Sequence, residues 1–224
     1  MTATPSQLGR PVGANGEQTR ARIILSAMRC VAEVGYSKAT IREIAKAADM
    51  TSGSLYHYFP NKSELLSATV REIDEIAAPR LLAAAAQVDD VVDRLEAVLD
   101  EMDRLMREYP SLAAFDRAMR AEVTAHTHKG RTRHAGLKAL RDIINSIIQD
   151  ARARGELPPD TNADAAVNAI YALARGLTER AANLTPKAYS ATLVSAKELI
   201  SGTLLAPQAS RRESTPQRRS KRDP

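Results

Sequence analysis

Three helix-start signals fall within the 25 residues from Thr40 to Glu64. Thr40-Ile-Arg-Glu43 has the form of a capping box, in which the threonine hydroxyl takes an orphan amide while the glutamate reaches back. Asp49-Met50 breaks the helix so opened, Thr51 can cap a second running to Phe59, and Pro60 ends that one. Asn61-Lys-Ser-Glu64 then opens a third. Helices as short as 41–48 and 52–59 hold only when packed on longer neighbours, and the flanking sequence supplies them. Ile23, Ile24, Ala27, Cys30, Val31 and Val34 recur at helical spacing over 19–34, up to a stop at Gly35. Leu65, Leu66, Ala68, Thr69, Ile73 and Ile76 do so from residue 62 up to Pro79, where that helix is expected to end.

The remainder is helical as well. An apolar stripe from Val88 to Met106 runs to the break at Tyr109-Pro110, and a helix near 111–124 carries Leu112, Phe115, Met119 and Val123. After the polar stretch 126–133, Leu137, Leu140, Ile143, Ile144, Ile147 and Ile148 form a stripe that ends at Arg154-Gly155. Thr161 or Asn162 starts a helix to about Asn183, and Thr185-Pro186 starts the last, 186–205. Aromatic residues are only 4% of the 224, which favours helices over strands. The expected fold is all-α, about nine helices. Residues 1–17 read as a flexible arm, 18–66 as one domain, 67–206 as a second, and 207–224 as a disordered basic tail.

Charge is distributed unevenly along this plan. Residues 18–70 hold seven Lys/Arg against four Asp/Glu, residues 71–206 eighteen against twenty, and the last eighteen residues six against two. A basic head on a slightly acidic body suits contact with nucleic acid. The single cysteine, Cys30, allows no internal disulfide, and no stretch approaches the roughly 20 apolar residues of a spanning helix. A soluble cytoplasmic protein with no membrane partner is expected.

Two short helices joined by a tight turn and flanked by longer ones make a helix-turn-helix arrangement. Ile41, Ile44 and Ala48 can seat the first helix, and Ala45 is small enough for the second to cross close by. Leu55 and Phe59 can form the buried edge of the second helix, leaving Thr51, Ser52, Ser54, Tyr56 and His57 outside. Gly53 removes a side chain where a phosphate or base would approach. The run ATIREIAKAADMTSGSLYHYFPNKSELL, with Gly35-Tyr36 before it, resembles the signature of TetR-family transcriptional regulators over about residues 19–66. Asp49 departs from the glycine frequent at that turn, although Asp tolerates left-handed backbone better than most residues.

The resemblance implies residue roles. Thr40 and Arg42 match phosphate-contacting positions; Thr51, Ser52, Gly53, Ser54, Tyr56 and His57 match the DNA-recognition surface; Tyr58 and Lys62 match positions that grip the backbone. The second helix carries no Lys or Arg, so sequence would be read through hydroxyls, the Thr51 methyl, Tyr or His edges and DNA shape. The resemblance further implies that the second domain senses a small-molecule effector and forms a homodimer through the last two helices, so that the operator is an inverted repeat. Candidate effector contacts between the middle helices are Met102, Met106, Tyr109, Phe115 and Met119, with Ile144, Ile147, Tyr171 and Arg175. The three methionines suggest an adaptable, mainly apolar cavity.

Other classes fit less well. A helical ligand- or partner-binding protein with a vestigial helix-turn-helix is the alternative. No HExxH, P-loop, GxSxG or GxGxxG motif supports an enzyme or a cofactor. His126, His128 and His134 do not share a helix face and have Lys and Arg neighbours, so they read as solvated surface rather than metal ligands.

Overall fold

The structure, a computed structural model, describes residues 12–126 and 135–205. Among them are nine α-helices and no strand: α1 (Val12–Val34), α2 (Ile41–Ala47), α3 (Ser52–Tyr58), α4 (Lys62–Ala85), α5 (Val91–Glu108), α6 (Leu112–His126), α7 (Ala135–Ala153), α8 (Ala163–Ala181) and α9 (Pro186–Ile200). None of these helices is long and apolar enough to cross a membrane. His128, His134 and the tail 207–224 lie outside the described residues, as do residues 1–11.

The start signals act as the sequence predicts. Thr40 Oγ1 accepts from the Glu43 amide while the Glu43 carboxylate accepts from the Thr40 amide, closing the capping box. Thr51, Asn61, Asp90, Asn162 and Thr185 cap α3, α4, α5, α8 and α9, each accepting amides of the first turn. The stop of α2 is a Schellman motif: the Asp49 amide donates to the Lys46 carbonyl and the Met50 amide to the Ala45 carbonyl. Asp49 sits there with φ +53°, the left-handed position usually given to glycine.

Three boundaries differ from expectation. First, α1 begins at Val12, so residues 12–17 are helical rather than arm. Once Ile23, Ala27 and Val31 are locked in the core at 0% exposure, extending the helix outward adds one bond per residue without a new nucleus. Second, Pro79 does not end α4, which runs on to Ala85. An interior proline costs about 3 kcal/mol, and the residues after it are held firmly. Arg80 pairs with Glu101 and Glu108 of α5 at 2.7 and 2.6 Å, and Leu81 is buried. Third, α9 stops at Ile200, short of residue 205.

Two apolar cores result. The first joins Ile23, Ile24 and Val31 of α1 with Ile44, Leu55 and Phe59, and with Leu65 and Leu66 of α4. The second joins α4 beyond Leu81 with α5, α7, α8 and α9. Helix α4 serves both cores, running unbroken across the expected division at 66/67. Helix α6 also seals the first core, through Phe115 and Met119.

Candidate functional site

The outer face of the head is built by burial of its inner face. Ile44 and Ala45 of α2 and Leu55 of α3 are at most 1% exposed, and Phe59 is 3% exposed under the stacked Arg20 guanidinium. A helix whose Leu55 and Phe59 point inward must turn Tyr56 and His57 out, and Tyr56 is 52% exposed. Thr51 and Gly53 are also exposed, and Ser52 and Ser54 half-buried. The Thr51 hydroxyl is engaged by the Ser54 amide and hydroxyl, so its methyl and the Ser52 side chain are the freer features at that end of α3. A Cβ built on Gly53 meets only Thr51 Oγ1, at 3.8 Å. The chain's own packing therefore does not require glycine there.

A shallow concavity joins the two short helices, lined by Arg42, Lys46, Asp49, Met50, Thr51 and Ser52. Lys46 is a contributor that sequence reasoning missed. It lies one helical turn after Arg42, and the i, i+4 spacing was the available signal. Thr40 and Arg42 are exposed at the start of α2, as expected.

Tyr58 and Lys62 behave differently from each other. Tyr58 is 38% exposed. Lys62 is turned inward: its ammonium donates to the Tyr36 and Ser37 carbonyls and lies 4.5 Å from the Tyr36 ring centroid. It ties the first turn of α4 to the turn after α1, whereas the expectation was a cation directed at DNA.

A separate cavity of about 120 Å³ lies among α4, α5 and α6, touching Leu140 and Thr178. Met102, Met106, Phe115 and Met119 line it, as expected. Tyr109, Ile144, Ile147, Tyr171 and Arg175 do not. Ile144 and Ile147 are 1% exposed in the second core, because the middle of the α7 stripe packs against neighbouring helices. Tyr171 packs at the edge of that core with the Arg175 guanidinium stacked on its ring at 5.8 Å. Tyr109, the cap of α5, packs beside both cores. Apolar periodicity cannot tell a helix face that meets another helix from one that meets a void.

The cavity's polar wall was also missed. Asp74 of α4 and Asp116 of α6 both line it. Burial, then the charges of Asp116 and Glu75, push the Asp74 carboxyl up to about 6. Asp116 is paired with Arg120 at 3.0 Å, and Arg120 also reaches Glu179 of α8 at 3.2 Å.

Comparison with known proteins bears on the whole arrangement. The model of bacterial regulatory proteins of the tetR family matches residues 23–69, which hold the α1–α4 part of the first core. The HTH-type transcriptional repressor Rv1474c of Mycobacterium tuberculosis is 32% identical over 141 residues, 58% of this chain and 73% of the relative. The chain belongs to the tetR family.

As a tetR-family protein it is a helix-turn-helix, DNA-binding regulator of transcription. The HTH-type transcriptional regulator TtgR of Pseudomonas putida is 29% identical over 183 residues, 73% of this chain and 80% of that one. The fold is shared with the FadR regulator of Bacillus subtilis in complex with stearoyl-CoA. That match has a TM-score of 0.67 at 21% identity and covers 82% of this chain and 98% of that one. The family match ends at residue 69, before the first cavity residue, Val70.

Proposed function

We propose that this tetR-family protein is a homodimeric repressor that reads an inverted-repeat operator through α3 and leaves it when a small apolar or amphipathic ligand enters the α4–α6 cavity. The observation that carries this reading is the double position of Phe115 and Met119. Both belong to the core of the head and both wall the cavity. A ligand that displaces them moves the surface on which α1 rests, and only a ligand that binds one head arrangement better than another can shift the equilibrium between them.

Thr51, Ser52, Gly53, Ser54, Tyr56 and His57 face the bases, with Thr40, Arg42, Tyr58 and Lys46 on the phosphates. Lys62 acts there only by sharing its ammonium with Tyr36. Dimerisation through α8 and α9 is supported by their outer faces. Ala165, Ala169, Ala172 and Gly176 are exposed along α8, and Val194 and Leu199 are 57% and 50% exposed on α9. Small residues allow close approach of a twin helix, and exposed Val and Leu favour burial. On this reading the head and the effector body are the two functional parts, with α4 common to both.

The experiment is selection of bound duplexes from a random DNA pool by the full-length protein at near-physiological salt. An enriched inverted repeat is the expected result. Salt-sensitive binding without enrichment overturns the reading in favour of a helical binding protein with a vestigial helix-turn-helix.

A further inference from the structure

Among the described residues that wall the cavity, the only polar ones are Asp74, Asp116 and Thr178. The Thr178 hydroxyl is committed to the Ala174 carbonyl at 3.2 Å. Asp116 has Arg120, which it shares with Glu179. Asp74 is left: its Oδ2 has no accessible surface and no hydrogen-bond partner. The rest of the wall is aliphatic, aromatic or thioether, and none of the described lining residues is cationic. One oxygen of this half-buried carboxylate is thus sealed from water without a donor, which is costly, and no described wall residue offers it a counter-charge.

We propose that the cavity takes a small hydrophobic cation, an amine or quaternary ammonium on an apolar body, with Asp74 as its counter-charge. This rests on the reading of the cavity as the effector site. Three ligand classes can be compared on charge alone. An anion brings a third negative charge to a wall that already holds Asp74 and Asp116. A neutral apolar ligand fills the space and leaves Asp74 Oδ2 unpartnered. A cation supplies the missing charge, and the soft sulfurs and ring of Met102, Met106, Met119 and Phe115 suit its apolar part. At about 120 Å³ the space matches a single ring or a short branched chain better than a long acyl tail.

The test is isothermal titration of the full-length protein with three probes of similar shape: benzyltrimethylammonium, its neutral analogue neopentylbenzene, and phenylacetate. The cation is expected to bind on the order of tenfold or more tightly than either of the others. Asp74→Asn should bring its affinity down to that of the neutral probe. The comparison on the unmodified chain needs no variant, so it stands even if Asp74→Asn folds poorly. Equal binding of cation and neutral probe, tighter binding of phenylacetate, or binding of none of the three overturns the proposal. A second readout is release of the selected duplex. Charge-selective binding that leaves DNA affinity unchanged would keep the ligand class and sink the effector-site reading. Release by an uncharged or anionic compound would do the reverse.

Discussion

Lys62 Nζ lies 4.5 Å from the centroid of the Tyr36 ring and donates to the Tyr36 carbonyl, so one ammonium serves as both a cation–π and a hydrogen-bond partner of one residue. The pair clamps the start of α4 onto the turn that follows α1. Lys62→Ala should therefore lower stability by about 1–2 kcal/mol in urea unfolding. An unchanged unfolding midpoint would mean that the clamp is idle and that Lys62 is free for phosphate.

Tyr56 separates recognition from packing. It is 52% exposed, while its neighbour Leu55 is fully buried. Tyr56→Ala should weaken binding to the selected duplex by about 1–3 kcal/mol and change stability by less than about 0.5 kcal/mol. Loss of folding would show that the α3 side chain is core.

Gly53 makes the same separation through backbone. Because an added Cβ meets only Thr51 Oγ1 at 3.8 Å, Gly53→Ala should be stabilising by about 0.5–1 kcal/mol. Fluorescence anisotropy should nonetheless show weaker binding to the duplex, since on the proposed reading the added methyl group stands where DNA approaches. Unimpaired binding would mean that DNA keeps its distance from this position.

Asp49 combines strain with an unfavourable charge. It holds φ +53° and lines the same concavity as Arg42 and Lys46. Asp49→Gly should raise stability by about 0.5–1 kcal/mol and, with this face directed at phosphates as proposed, tighten DNA binding by removing a negative charge. Weaker binding would assign Asp49 a hydrogen-bonding role in the complex.

Asp74 gives the protein a pH signature. Its carboxyl is raised from 3.8 to about 6, by burial first and then by Asp116 and Glu75, with Arg120 the cation that offsets Asp116. Between those two values the folded chain holds more protons at this group than the unfolded chain does. Its contribution is therefore fully favourable below the lower value and is lost as pH rises through about 6. Asp74→Asn should remove this slope and add about 1–2 kcal/mol at neutral pH, allowing for partial solvation. Thermal unfolding across pH 4–7 checks it; parallel curves for the two proteins would show that Asp74 keeps an ordinary carboxyl.

Sequence alone determined the local events. A cap needs only one side chain and an amide two or three residues on, so Thr40, Thr51, Asn61 and Thr185 could be assigned from spacing. The same holds for the orientation of α3, because Leu55 and Phe59 share an edge and leave Tyr56 and His57 on the other side. What tertiary structure decided is where distant segments meet. Only packing against α5 shows that α4 continues past Pro79, and only the approach of α4 to α6 brings Asp74 beside Asp116. Only assembly shows Ile144 and Ile147 in a core, not on a cavity wall, and Lys62 turned toward Tyr36. Periodicity records that a face is apolar; which surface meets it depends on contacts between residues far apart in the chain, and those arise only on folding.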